Sequence, residues 1–116
     1  MIDDINYSDC SGSQYLKQDD VSEDGQTVTI EAWDKKFIEG HNGEQGKKKV
    51  CVKFEEFEKW LPLNSTNGDA IRTHTKTQKP AQSIGKQLEI YRDINIAFGG
   101  KIVGGIRLRP VVEIPY

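Results

Sequence analysis

The residues with the clearest chemical potential are the lysine, arginine and aromatic side chains that recur along the chain. Cations neutralise phosphates, and aromatic rings offer flat faces on which bases stack. The stacking candidates are Trp33, Phe37, Trp60, Tyr91 and Phe98. The cationic candidates are Lys35, Lys36, Lys47, Lys48, Lys49, Lys53, Lys101, Arg107 and Arg109, with Lys86 and Arg92 as further phosphate contacts. Together these residue types favour binding to single-stranded nucleic acid.

The same residue types also have ordinary structural roles, which stay open at this stage. Two or three of the aromatic side chains can instead fill the core, and Trp60 and Phe98 suit that role as well as they suit stacking. A surface of lysine and arginine is the usual solvated face of a domain. Charge alone therefore does not decide the function.

The sequence offers little for catalysis. His41 lies in a glycine-rich segment and His74 in a weak helix, and no acid and nucleophile near either histidine suggest a triad. Glu55, Glu56 and Glu58 could hold Mg²⁺, although a solvated acidic bend is the simpler interpretation. The paired glycines form neither a dinucleotide-binding motif nor a P-loop. We therefore predict a non-enzymatic protein with no cofactor and no metal.

Charge is unevenly distributed along the 116 residues, whose formal net charge is −2. Residues 1–24 hold seven acids and one base, Lys17, so residues 25–116 hold 15 bases against 11 acids. An acidic arm on a basic body is known among nucleic-acid-binding proteins, where the arm competes for the basic surface. An ordinary solvated terminus is the alternative. We predict a largely irregular acidic arm over 1–24, within which Tyr15-Leu16 is a candidate to dock on the domain, and one domain over 25–116.

Nothing in the composition indicates a membrane or secreted protein. No apolar run approaches the roughly 20 residues of a membrane span, and Met1–Asp4 lacks the features of a signal peptide. We therefore predict a cytoplasmic protein that contacts no membrane. Cys10 and Cys51 form no zinc pattern, and Cys51 is interpreted as a small buried hydrophobic residue. A disulfide between them is disfavoured in the cytoplasm but stays open.

Strands must position most of these side chains, because period-two alternation dominates the chain. The predicted strands cover residues 27–33, with a possible extension to 38, then 50–54, 60–64, 84–96 and 102–109. A short helix is predicted from Thr66 to Thr75, after several residues suited to an N-cap. Gly99-Gly100 is predicted as a type I′ turn that joins the last two strands.

Alternation also predicts which side chains face the core. In the first strand Val28, Ile30 and Ala32 point to one side, so Trp33 points to the other. The inward set of the last two strands is mostly large aliphatics and comprises Ile84, Lys86, Leu88, Ile90, Arg92, Ile94, Ile96, Ile106 and Leu108. The outward set is Trp33, Lys53, Tyr91, Arg107 and Arg109.

Five strands with one helix between the third and the fourth predict a mainly β protein with the OB-fold, a partly open five-stranded Greek-key barrel. Closing such a sheet hides the edges that an open sheet exposes. Ligands of that fold usually bind at the loop after the first strand, here 34–48, and at the turn between the last two strands, here 97–101.

Segments within residues 50–110 resemble a family of small tailed-phage and prophage proteins. The segments are Lys53-Phe54-Glu55, Leu63-Asn64-Ser65-Thr66-Asn67, Ile84-Gly85-Lys86, Ile90-Tyr91, Phe98-Gly99-Gly100-Lys101 and Gly105-Ile106-Arg107-Leu108-Arg109-Pro110. The resemblance implies an OB-like protein that binds single-stranded DNA among replication and recombination proteins. The family pattern has a Trp where this chain has Ser83, so a stacking or packing role of that Trp is absent here.

The sequence therefore predicts a sequence-nonspecific single-stranded DNA-binding protein of phage or prophage origin. It would act in DNA replication or recombination in the cytoplasm of a bacterial host, with the acidic arm recruiting another such protein. The alternative is a protein–protein interaction module, an accessory or host-inhibitory phage protein, on the same small barrel. The overall negative charge and the acidic arm fit that alternative better. RNA in place of DNA, and the oligomeric state, are left open.

Overall fold

A single long strand, β1 (Gln26–Ile38), joins the two halves of the sheet in this computed structural model, which describes residues 15–38 and 46–111. The other elements are β2 (Lys47–Phe54), β3 (Trp60–Pro62), α1 (Ser65–Thr75), β4 (Gln87–Asp93), β5 (Ala97–Phe98), β6 (Lys101–Ile102) and β7 (Gly105–Arg109), with 3₁₀ turns at Gln18–Asp20 and Pro80–Ser83. Five strands form an antiparallel sheet in the order β3-β2-β1-β4-β7, and β5 and β6 form a separate two-stranded ribbon. The predicted mainly β fold with a helix between the third and fourth strands is confirmed.

Strand β1 changes its partner part-way along. Residues 26–29 pair with β4, and residues from Ile30 onward pair with β2. The register slips between Ile30 and Ala32, so that Ile30 lies opposite Phe54 but Ala32 lies opposite Lys53. Such a bulge places one extra residue in one strand and reverses the alternation beyond it.

The bulge decides the orientation of Trp33. Residues directly opposite each other in a pair share a face, and Trp33 lies opposite the buried Val52. Trp33 therefore packs against the core, with its side chain partly buried. The prediction that Trp33 points away from the core is wrong. It counts a simple alternation from Val28, whereas the bulge between Ile30 and Ala32 reverses the alternation before Trp33.

The core fills one side of the sheet, and α1 helps to cover it. Its buried apolar residues are Leu16, Val21, Val28, Ile30, Val52, Phe54, Leu61, Ile71, Leu88, Ile90, Ile106 and Leu108. This confirms the inward positions predicted for the middle of β4 and for β7. Ile84 and Ile94 are about half exposed instead, because β4 covers only 87–93 and the alternation does not continue into the flanking turns.

Helix α1 begins one residue before its predicted start. The Asn64 side chain accepts a hydrogen bond from the Asn67 amide (2.8 Å), which satisfies one of the free donors at the helix start. The buried Asn67 side chain donates in turn to the Ile106 carbonyl (3.1 Å). The cap and this bond fix α1 against β7, and the helix ends at Lys76 in the left-handed conformation.

The described part of the predicted arm, residues 15–24, packs on the domain. Leu16 and Val21 are buried in the core, and the Leu16 amide donates to the Trp60 carbonyl (2.8 Å). Asp19 and Glu23 both form ion pairs with Arg92. The packed unit therefore extends N-terminal to the boundary predicted at residue 25, whereas residues 1–14 lie outside the described residues.

Asp20 should make the stability of the domain sensitive to acid. Its carboxylate accepts a bond from the Lys17 amide (2.9 Å) and lies 3.2 Å from Lys59 Nζ. The hydrogen bond from the Lys17 amide, together with the Lys59 ammonium, lowers the pKa of Asp20 below its ordinary value of 3.8. Partial burial of the carboxylate acts in the opposite direction but is outweighed. A lowered folded-state pKa contributes stability above the unfolded pKa, and that contribution is lost as the pH falls through the folded-state pKa.

We therefore expect Asp20→Asn to lower the melting temperature at about pH 7, with the gap to the parent protein closing below about pH 3.8. Thermal melts followed by circular dichroism over this pH range measure the gap. Asp69→Asn serves as a control, because its carboxylate sits in an exposed pair with Arg72. A gap between Asp20→Asn and the parent that persists unchanged at low pH would contradict this account.

The C-terminal hairpin is shorter and more divided than the sequence predicts. The chain turns at Gly99 and Gly100, both at positive φ, as the predicted tight turn requires. This turn closes only the β5–β6 ribbon, and β4 pairs directly with β7. Phe98 is 80% exposed on this ribbon, so the alternative in which it fills the core is excluded.

Candidate nucleic-acid interface

The outer end of the β1–β2 hairpin gathers six of the predicted binding residues. In this register Lys35 lies opposite Val50, Lys36 opposite Lys49, and Phe37 opposite Lys48, with Lys47 one pair further out. We call this set of six the lysine arm: Lys35, Lys36, Phe37, Lys47, Lys48 and Lys49. The fold thus brings five cations from two separate sequence segments onto one projecting hairpin.

The lysine arm carries charge on both of its faces. Alternation places Lys35, Phe37 and Lys48 on the side that continues the core face, and Lys36, Lys47 and Lys49 on the opposite side. Phe37 is 60% exposed. Its ring lies so close over Gly46 that any side chain at position 46 would collide with it. The arm therefore offers an exposed ring held among lysines.

A second cluster continues from the lysine arm across the outward face of β1, β2 and β3. The Lys36 ammonium lies 4.4 Å from the centre of the Trp60 ring, a cation–π contact. Lys36 is also 3.7 Å from Asp34, and Lys53 pairs with Glu31. Trp60 is thus neither a core residue nor fully exposed, and two of the predicted phosphate-binding lysines have acidic neighbours.

Tyr91, Arg107 and Arg109 lie together on the outward face of β4 and β7, as predicted. Tyr91 is opposite Arg107, and the Arg109 guanidinium stacks 4.2 Å from the centre of the Tyr91 ring. Arg109 also pairs with Glu89 and donates to a main-chain carbonyl, that of Asp24 (3.2 Å). These contacts occupy Arg109 and cover Tyr91, which leaves Arg107 as the more available of the two arginines.

Phe98 and Lys101 face each other across the β5–β6 ribbon. The ribbon is separate from the five-stranded sheet that contains the lysine arm. A groove of about 440 Å³ lies between β3 and β7 and is lined by Leu61, Phe98 and Arg107. Apart from Trp33, which packs against the core, the predicted site residues therefore divide among four places: the lysine arm, the outward face at Trp60, the outward face at Tyr91, and the ribbon.

A cleft that the sequence did not reveal lies between the lysine arm, α1 and the turn at Pro80–Ser83. Its volume is about 490 Å³. We call it the Trp33 cleft; it is lined by Trp33, Lys48, Lys49, Val50, Leu63, Asn64, Gly68, Ile71, Arg72, Thr77, Gln78, Lys79, Pro80 and Ser83. Arg72 and Lys79 come from the helix and from the connection after it, so no local pattern in the sequence links them to the lysines of β2.

A short hydrogen-bond chain fixes the indole of Trp33 in this cleft. Trp33 Nε1 donates to Ser83 Oγ (2.9 Å), and Ser83 Oγ donates to the Pro80 carbonyl (2.6 Å). Ser83 is fully buried. The position where the resemblance has a tryptophan is therefore a packing position in this chain, and its hydroxyl orients the tryptophan of β1.

The remaining candidates have structural partners or lie outside the described residues. Cys51 is a fully buried thiol, as predicted, and burial raises its pKa. The Glu56 carboxylate accepts bonds from the amide (2.7 Å) and hydroxyl (3.2 Å) of Thr29. Within 15–38 and 46–111, no group of three or more acidic, histidine or cysteine side chains could hold a metal ion. His41 and Cys10 lie outside these ranges, so the disulfide alternative is not addressed.

Comparisons with family models, with curated proteins and with solved structures found no match to this chain. The resemblance to small phage proteins accordingly stays a prediction. Among the helices of the described ranges, none is long and apolar enough to cross a membrane.

Proposed function

We propose that this protein binds single-stranded DNA without sequence preference, with the lysine arm as its main contact. The observation that carries the proposal is the concentration of five lysines around the exposed ring of Phe37 on one projecting hairpin. Lysines neutralise phosphates, and an exposed ring stacks on any base, because every base has a flat face. Binding of this kind needs no catalytic group.

The charge balance of the lysine arm supports the proposal. Asp34 is the one acidic residue of β1 and β2 that pairs with an arm lysine within the described residues, through Lys36. The cations Lys53, Arg92 and Arg109 elsewhere on the sheet are paired with carboxylates. Among the described residues, the phosphates of a bound strand would therefore compete with one carboxylate, that of Asp34, for the lysines of the arm.

The proposal includes an OB-type arrangement of the sheet. Strand β1 is shared between β2 and β4, α1 precedes β4, and the β3 and β7 edges line the same groove of about 440 Å³. In OB-folds the loop between the first two strands and the loop between the last two strands flank the ligand. The lysine arm and the β5–β6 ribbon hold those two places. The phage origin, the role in replication or recombination and the cytoplasmic location rest on the sequence alone.

A fluorescence anisotropy titration with a labelled oligo-dT of about 30 nucleotides, a few OB-fold site sizes long, tests this function. We expect saturable binding whose affinity falls steeply from low to physiological salt, because bound lysines release counterions from the strand. Duplex DNA of matched length should bind more weakly, since its bases are not available for stacking. An RNA strand of the same length decides between the two nucleic acids. Absence of binding at low salt would overturn the proposal.

A protein-binding role is the second candidate, and the ribbon favours it. Ile94, Phe98, Ile102 and Val103 are all at least half exposed on and beside the ribbon. Clustered exposed apolar residues often mark contacts with other proteins. If the DNA titration is negative, a pull-down that compares the parent protein with Phe98→Ser is the next experiment. A partner retained by the parent and lost in the variant would support this second function.

A further inference from the structure

We propose that the Trp33 cleft receives one base of the bound strand, with the adjoining phosphate held by Arg72 and Lys79. This inference rests on the proposed single-strand binding and adds a specific base-binding pocket beside the lysine arm. The cleft's volume of about 490 Å³ falls within the range of roughly 300–1,000 Å³ that is usual for small-molecule pockets.

The floor of the Trp33 cleft suits a flat heteroaromatic ring. Trp33, Val50, Leu63 and Ile71 supply apolar surface, and the indole is the one aromatic ring among the lining residues. The bond from Trp33 Nε1 to Ser83 Oγ holds that ring in one orientation before any ligand arrives. A ring that is already ordered loses less conformational freedom when a base stacks on it.

The charges around the cleft suit a phosphate. Lys48, Arg72 and Lys79 line it, Lys49 lines it from a strand position whose side chain lies on the opposite face, and none of the described lining residues is acidic. Arg72 lies 3.3 Å from Asp69, but both side chains of that pair are about two-thirds exposed. Exposed pairs of this kind are weak, so the guanidinium can exchange the carboxylate for a phosphate.

The cleft also adjoins the proposed path of the strand. Lys48 belongs to the lysine arm and lines the cleft at the same time. A strand that follows the arm would therefore pass beside the cleft at Lys48. A single-stranded ligand is favoured, because a paired base enters such a cleft only at the cost of leaving its stack in the duplex.

Trp33 itself provides the signal for a test. The chain contains two tryptophans, so the Trp60→Phe variant leaves Trp33 as the sole indole fluorophore. In that background we expect oligo-dT of about 30 nucleotides to quench the Trp33 fluorescence saturably. A strand of equal length with abasic sites should bind through its phosphates but leave the fluorescence unchanged, because it has no base to insert.

Removing the cleft's cations should separate this pocket from general charge effects. Arg72→Ala with Lys79→Ala is expected to weaken oligo-dT binding by about tenfold and to reduce the quenching. The control pair is Lys17→Ala with Lys76→Ala, which removes the same charge from exposed residues outside both the cleft and the predicted binding set, and it should change the affinity by less than about twofold. Thermal melts verify that both pairs remain folded.

The outcomes of these titrations distinguish a failure of the cleft inference from a failure of the proposed function. Oligo-dT binding in anisotropy without any change in Trp33 fluorescence would overturn the cleft inference and leave the proposed function standing. Equal quenching by the abasic strand, or equal losses in the two double variants, would also overturn the cleft inference. No binding of oligo-dT by either readout would overturn both the inference and the proposed function.

Discussion

Replacing Lys47, Lys48 and Lys49 together by alanine is expected to lower the affinity for oligo-dT by about 100-fold at about 0.1 M salt. Each phosphate contact on a single strand contributes roughly 0.7 to the slope of log affinity against log salt. Three lost contacts therefore reduce the magnitude of that slope by about 2. Anisotropy titrations at several salt concentrations measure the affinity and the slope in one series.

This variant should leave the fold intact. The three lysines are exposed, and their main chains keep the pairing of β2 with β1 whatever the side chain. The matched control replaces Lys17, Lys59 and Lys76 by alanine, which removes three cations that lie outside both the lysine arm and the predicted binding set. If the control loses as much affinity as the arm variant, net charge and not the lysine arm governs binding. An unchanged slope of log affinity against log salt in the arm variant would mean that these three lysines do not contact the phosphates of the strand.

The largest effect on stability is expected at Phe54. This ring is fully buried and lies opposite Ile30, next to the bulge in β1. Truncating a buried phenylalanine to alanine costs about 3–5 kcal/mol, a large part of the roughly 5–15 kcal/mol that stabilises a domain. At about 4 °C or more per kcal/mol for a domain of about 100 residues, Phe54→Ala should melt at least about 12 °C lower than the parent.

Phe98→Ala is the matched control, because it makes the same chemical change at a ring that is 80% exposed. Its free energy of unfolding should stay within about 0.5 kcal/mol of the parent. Urea unfolding followed by circular dichroism compares the three proteins directly. Equal losses at the two positions would contradict the burial described for them, and a loss confined to Phe98→Ala would place the ribbon inside the core.

The two phenylalanines show how far the sequence could predict the core. Phe54 follows Val50 and Val52 at alternate positions, and that pattern indicates a buried face without knowledge of the partner strand. Phe98 stands beside a glycine turn, where no alternation indicates a direction. Phe98 is exposed because the ribbon does not pair with the main sheet, and strand pairing cannot be read from the residues around Phe98.

The candidate site likewise has one part that the sequence predicts and another part that depends on the fold. The lysines 47–49 are adjacent in sequence, so their cluster needed no structure. Their union with Lys35, Lys36 and Phe37 depends on the register of β1 with β2. Arg72 and Lys79 join the cleft only because α1 packs on β7 and the turn at Pro80–Ser83 folds against Trp33.

The sequence by itself determined the elements whose signals are local. The alternation of β4 and β7, the run of possible N-cap residues before α1 and the paired glycines of the ribbon turn all depend on neighbouring residues. Only the tertiary structure decided the orientation of Trp33 and the packing of Val21. A bulge arises from the pairing of two strands, and a docked segment arises from apolar surface elsewhere that it can cover. Neither event leaves a periodic trace in its own stretch of sequence.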